Sequence, residues 1–134
     1  MPNQVFVYGT LKRGFSRYRT PALRDLRAGT EENACVVGTL YDLGLYPGLR
    51  IHGSGLVHGE IQRFRPIESA LCMLDAIEGY RGPRAPGNLF VRQRILATDA
   101  WGRNRDCWVY LYAQEVEDFR GIASGLWTKG GFSY

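Results

Sequence analysis

Leu56-Val-His-Gly-Glu-Ile-Gln-Arg-Phe64, running through Arg65 into Pro66-Ile-Glu-Ser-Ala-Leu-Cys-Met-Leu-Asp-Ala-Ile-Glu-Gly79, joins two periodicities within one stretch. Residues 56–64 read as a strand, with Gly59 marking a bulge or a close approach of another chain segment. Pro66 then opens a helix, and Glu68 suits the positive end of its first turn. With Ile67 as the reference direction, Leu71, Leu74 and Glu78 follow at spacings of four, three and four. All three fall within about 40° of Ile67, so they form one stripe. Ile77 widens that stripe, whereas Asp75 and Glu68 lie to one side and are expected to be solvated. Gly79 is a natural left-handed stop. A strand feeding directly into an amphipathic helix is the core of an α+β domain.

The flanking sequence extends this reading. Gln4-Val-Phe-Val-Tyr8 is a β-branched and aromatic run that predicts a strand. Thr20-Pro21 predicts the start of a short helix ending near Leu26. Residues 34–41 read as a strand, and the Gly- and Pro-rich residues 42–54 as an irregular loop. Residues 80–88 predict a second loop. Residues 89–98 and 106–113 predict a β-hairpin turning at Asp99 to Arg105. The segment from Gly121 to Gly131, with Trp127 among its glycines, reads as a packed extension. Five or six strands with few helices imply a small mixed, antiparallel-rich, barrel-like sheet flanked by one main helix and short helices. The length, 134 residues, predicts one domain over residues 1–134.

Composition narrows the functional class. A chain that is 45% hydrophobic and 22% charged buries a core without staples. No charged segment followed by a long apolar run opens the chain, and no stretch reaches membrane-spanning length, so a cytoplasmic protein with no membrane partner is expected. Cys35, Cys72 and Cys107 are odd in number and widely spaced, which predicts reduced and mostly buried thiols. His52 and His58 have no matching ligands, and no metal site is predicted. The net charge of +4 comes almost wholly from scattered arginines, since Lys12 and Lys129 are the only lysines. Without a basic stripe, no nucleic-acid partner is expected.

Two features invite chemistry. Glu78 sits on the apolar stripe and in the last helical turn. Burial and the negative helix end both raise a carboxylate's pKa, with burial the larger effect. Periodicity leaves two readings open: a structural carboxylate that accepts from a backbone amide or pairs with an arginine, and a working acid/base group. The second feature is Tyr8-Gly-Thr-Leu-Lys-Arg-Gly14, a glycine-bounded loop directly after a strand. Such loops can gather backbone N–H groups into an anion-binding concavity. Phe15 and Ser16 replace the Lys-Ser/Thr of a phosphate loop, so nucleotide binding is not supported. A simple tight turn fits as well.

Together these segments resemble the γ-glutamylcyclotransferase-like family. Val5-Phe-Val-Tyr-Gly-Thr-Leu-Lys-Arg-Gly14 is similar to its N-terminal signature, and Leu74-Asp-Ala-Ile-Glu-Gly-Tyr80 to its second. Weaker matches follow in order at Tyr46-Pro47-Gly48, Val57 to Ile61, Trp108 to Tyr112 and Ser124 to Trp127. The length best suits the family's small arm, which includes the γ-glutamylamine cyclotransferases. The resemblance implies a small barrel-like sheet and release of 5-oxoproline from a γ-glutamyl amide or amine. It implies Glu78 as the acid/base residue and Tyr8, Gly9, Thr10 and Leu11 as the substrate loop, with no cofactor. Where the family commonly carries Tyr-x-Arg, this chain has Phe90-Val91-Arg92, which removes a hydroxyl at that position.

In that reaction the substrate's α-amino group attacks its own γ-carbonyl, so proximity and proton traffic are what the protein supplies. The main alternative is a non-enzymic module binding a γ-glutamyl or other carboxylate metabolite on the same scaffold. A further alternative is an enzyme unmasking a γ-glutamyl-protected intermediate, which differs only in substrate. Tyr112 and Arg92 are weaker candidates, read first as a core tyrosine and a solvated arginine. The released amine and the oligomeric state are not readable from the chain.

Overall fold

Every residue of the first strand, β1 (Gln4–Val7), is buried, because both of its faces are covered. The computed structural model describes residues 1–130 and shows how. Phe6, and Tyr8 just beyond the strand, join a cluster with Val36, Val57, Ile61, Val109 and Trp127. Val5 and Val7 point to the opposite face and join Leu71, Leu74 and Tyr110. Side chains on a strand alternate between its faces, so one strand serves two cores.

Five strands close into a barrel in the order β1, β5 (Leu56–Phe64), β2 (Arg27–Val37), β6 (Phe90–Thr98) and β7 (Asn104–Tyr112). All neighbours are antiparallel except β1 and β7, which run parallel and share one register pair, Val5 with Trp108. This is the mixed, antiparallel-rich barrel of an α+β protein. That parallel seam is held largely by side chains. Gln4 Nε2 donates to the Asp106 carbonyl at 3.0 Å, Trp108 Nε1 to the Pro2 carbonyl at 3.1 Å, and Tyr8 Oη to the Tyr110 carbonyl at 2.6 Å. A second sheet, β4 (Pro47–Arg50), β3 (Thr39–Asp42) and β8 (Arg120–Gly121), packs beside the barrel.

Helix α1 (Pro21–Leu26) packs on α2 (Ile67–Glu78), which lies against β1 and β7. The bounds of α2 follow the sequence signals. Pro66 stands just before it in extended conformation, and Gly79 ends it with φ +66°. Gly59 is a point of close approach: a Cβ there would lie 2.2 Å from the Val7 carbonyl oxygen.

Several expectations need correction. The strand expected over residues 34–41 begins at Arg27 and is divided at Gly38 into β2 and β3. The added half is polar, and its pairing with β5 slips between Arg27 and Gly29 and again between Glu31 and Ala34, so no regular alternation marks it. The loop expected over residues 42–54 contains β4. Its Pro47 occupies the first strand position, which proline tolerates. Asp75 is not solvated: it receives both Arg92 and Tyr110. Cys72 is exposed on α2 and only Cys107 is fully buried, although all three thiols are free. The C-terminal extension is anchored by Trp127, 2% exposed; its last residue, Gly131, lies outside the described residues.

Candidate active site

The polar residues behind the Gly9 loop explain its shape. Glu60 and Gln62 are both buried on β5. Glu60 Oε1 accepts from the Arg13 amide at 2.9 Å and from Gln62 Nε2 at 3.2 Å; Gln62 Nε2 also donates to the Leu11 carbonyl at 3.0 Å. Lys12 is buried too, and its Nζ donates to the Trp127 carbonyl at 2.9 Å. Burial raises the Glu60 carboxyl above, and holds the Lys12 ammonium below, their ordinary values. The loop is thus fastened from below by buried polar bonds, each strengthened by its dry surroundings. From above it meets Pro47, whose ring atoms lie 2.8 Å from where a Cβ on Gly9 would be. Only glycine permits that contact.

The front of the loop opens on a cavity of about 190 Å³. Its walls come from the end of β1, the loop residues Tyr8 to Leu11, Arg17, Tyr46 and Pro47, the end of α2 at Ile77 and Glu78, the start of β6 at Leu89 and Phe90, and Tyr110. The end of the main helix and the end of the first strand therefore meet at one place. All five residues expected from the sequence, Glu78, Tyr8, Gly9, Thr10 and Leu11, line this cavity.

Their hydrogen bonding differs sharply. The Tyr8 hydroxyl is occupied, since it donates to the Tyr110 carbonyl and accepts from the Leu49 amide at 3.3 Å. Burial first, and the nearby Glu78 second, hold that phenol well above its usual pKa. Tyr8 therefore gives the cavity a fixed wall. By contrast, the amides of Gly9, Thr10 and Leu11 donate to no group among the described residues, whereas the next amides, Lys12 and Arg13, are satisfied by the Gly9 carbonyl and Glu60. Three successive donors without acceptors suit an anion or a developing oxyanion.

Glu78 is half-buried, and its carboxylate makes no hydrogen bond or ion pair among the described residues. The structural reading required such a partner, and none is found among the described residues. Burial pushes the carboxyl up to about 7, and the positive charge of Arg17 pulls the other way without closing an ion pair. Because the side chain faces an open cavity, it combines a displaced proton affinity with access to a ligand.

Two features escaped the sequence reading. Arg17 lies in a 3-10 turn, Ser16–Arg19, that folds back on the loop when its amide donates to the Thr10 carbonyl at 3.0 Å. No periodicity signals that return. The other is a polar bracket behind the cavity. Tyr110 Oη donates to Asp75 Oδ1 at 2.6 Å, and Arg92 Nη1 reaches both Asp75 oxygens at 3.1 Å. The Arg92 guanidinium also lies 5.0 Å from the Trp108 ring centroid. Arg92 is thus locked to α2 rather than solvated. Tyr112 lies outside the cavity lining, packed against Phe90 and Phe119 in the core. Phe90 lines the cavity with a plain ring. No cluster of metal-ligating side chains occurs among the described residues, and no helix is long and apolar enough to cross a membrane.

The gamma-glutamylcyclotransferase family protein ytfP of Citrobacter rodentium is 36% identical over 126 residues, covering 92% of this chain and 94% of that one. The solution structure of ytfP from Escherichia coli superposes with a TM-score of 0.62 at 29% identity, covering 94% of this chain and 96% of that one. The crystal structure of an AIG2-like protein from Mus musculus superposes with a TM-score of 0.67 at 25% identity, covering 87% and 81%. The sequence pattern of the gamma-glutamyl cyclotransferase, AIG2-like family matches residues 5–129. The chain belongs to the gamma-glutamyl cyclotransferase, AIG2-like family.

Proposed function

We propose that this protein releases 5-oxoproline from a small γ-glutamyl amide or amine, with Glu78 as proton shuttle and Tyr8 to Leu11 holding the glutamyl group. The observation that carries this reading is a carboxylate pushed up to about 7, without a partner among the described residues, sharing one cavity with three amides that lack acceptors among them. In the reaction the substrate's α-nitrogen forms a bond to its own γ-carbon, and the bond from that carbon to the departing nitrogen breaks. The α-nitrogen loses two protons in passing from ammonium to lactam N–H. Ionised Glu78 accepts them one at a time and passes each to the departing nitrogen, which leaves as an ammonium, so the protein ends as it began. A carboxyl with pKa near the working pH serves both steps. The walled cavity holds the flexible glutamyl chain curled, which supplies proximity. Free amides of the loop take the α-carboxylate or the oxyanion that develops on the γ-carbonyl.

The test is a panel of γ-glutamyl amides and amines assayed for 5-oxoproline with the wild type and with Glu78→Gln. Turnover of at least one compound is expected, with a fall of about 100-fold or more in kcat for the variant, the scale of a lost acid/base group. Retention of activity within a few-fold would remove Glu78 from the role. Silence across the panel, with ligand binding preserved, would replace the reading with a binding module.

A further inference from the structure

Among the described residues of the cavity lining two are charged, Glu78 and Arg17. The acid belongs to the proposed proton traffic, in which the cation takes no part. The backbone of Arg17 is fixed from both sides: its amide donates to the Thr10 carbonyl at 3.0 Å, and its carbonyl accepts from Thr20 Oγ1 at 2.9 Å and the Thr20 amide at 3.2 Å. Its guanidinium, by contrast, makes no hydrogen bond, ion pair or ring contact among the described residues. Other arginines of this protein show what a structural role looks like. Arg105 is bound by Glu31, Asp99 and Gln4, and Arg92 by Asp75. Arg17 instead keeps a planar set of donors free beside three amides that are also free.

We propose that Arg17 is a specificity-determining residue that binds a carboxylate of the substrate. A guanidinium presents paired N–H donors at the spacing of carboxylate oxygens, and a charge-assisted pair is about twice as strong as a neutral one. A γ-glutamyl compound offers a carboxylate from two sources, the α-carboxylate of the glutamyl group or one on the departing amine. A departing amine with a second ammonium meets Arg17, and Glu78 is the one acid among the described residues of the lining to offset it. This inference rests on the proposed reaction, and Arg17 adds selection by charge to it.

The test compares γ-glutamylglycine, which carries both carboxylates, with γ-glutamylethylamide, which carries the α-carboxylate alone. Arg17→Gln and Arg17→Lys are assayed beside the wild type. Arg17→Gln is expected to lower kcat/KM about 10- to 100-fold, chiefly through KM, and Arg17→Lys less, as fits loss of a charge-assisted pair. A loss with both compounds assigns the α-carboxylate; a loss with γ-glutamylglycine alone assigns the departing amine. The charges facing Glu78 are those of Arg17 and, when ionised, Tyr8. Arg17→Gln is thus also expected to move the acidic limb of the kcat/KM profile to higher pH, which loss of packing alone would not do.

Calorimetric titration of both compounds into Glu78→Gln, with and without Arg17→Gln, reads binding apart from chemistry. If the wild type yields no 5-oxoproline but binding still weakens with Arg17→Gln, the reaction is wrong and Arg17 stands. KM and Kd unchanged within about threefold for both compounds, or no binding of either, overturns the assignment.

Discussion

Glu78 shows how one side chain can tie function to stability. Its carboxyl is pushed up to about 7 in the fold, against an ordinary value of about 4.3 in an unfolded chain. Between those two values the native state holds a proton that the unfolded state has released. Stability therefore falls as pH rises through that window and stays lowered above it. The side-chain amide introduced by Glu78→Gln cannot ionise. Thermal unfolding of this variant is expected to match the wild type near pH 4 and to exceed it by a few degrees in Tm at pH 8. Equal Tm values at both pH values would show that the site does not burden the ionised form. The displaced proton affinity was legible because helical periodicity alone places Glu78 on the stripe of Ile67, Leu71 and Leu74. Arg17 was not legible, because its place depends on a single 3-10 turn closing on the Thr10 carbonyl.

At the scale of elements, the short first strand and the main helix do unequal things. The signals at Pro66 and Gly79 bound α2 in the sequence as they do in the structure, since both residues act through their own backbone geometry. Strand β4 was hidden because Pro47 and Gly48 report a loop to any local reading. What makes them a strand is antiparallel pairing with β3, Tyr41 with Gly48 and Asp42 with Pro47, and distant contacts then fix its place: Pro47 packs on Gly9, and the Leu49 amide donates to Tyr8. The Tyr8 hydroxyl joins three elements, β1 through its own chain, β7 through the Tyr110 carbonyl and β4 through the Leu49 amide. Tyr8→Phe removes one oxygen and leaves a buried amide and a buried carbonyl without partners. A loss of about 1–3 kcal/mol is expected in urea unfolding, with a smaller loss in ligand affinity than Arg17→Gln gives. An unchanged urea midpoint would show that the hydroxyl is not a joint. Asp75 carries the matching lesson. Helical geometry placed it off the apolar stripe, but the barrel wall supplies Tyr110 and Arg92 to meet it there.

Across the whole molecule, the barrel is two firm parts joined at narrow seams. One part is β1, β5 and β2; the other is the hairpin of β6 and β7. They meet through Val5 with Trp108 on one side and Cys35 with Thr98 on the other. The cavity straddles the first seam, with Val7 and Tyr8 on one bank and Phe90 and Tyr110 on the other. A ligand there touches both parts and stabilises their closed arrangement. Hydrogen exchange is expected to slow at the amides of residues 5–8 and 108–112 when a γ-glutamyl compound binds, and less so in the turn between β6 and β7. Uniform slowing, or none at the seam, would show that the barrel opens as one unit. The barrel class was readable from the count and spacing of strands, but its closure was not, because a seam of one register pair leaves no periodic mark.

The bond from Lys12 to the Trp127 carbonyl has a consequence for how the chain is made, because Lys12 leaves the ribosome 115 residues ahead of its acceptor. At ordinary translation speeds the interval is on the order of 10 s. During most of that time the apolar run Gln4-Val-Phe-Val-Tyr8 lacks its β7 partner, and the loop behind it lacks its anchor. The nascent protein must carry this apolar strand unfinished until the far side of the fold has emerged. Completion of the pocket is then a late event in the life of each new molecule.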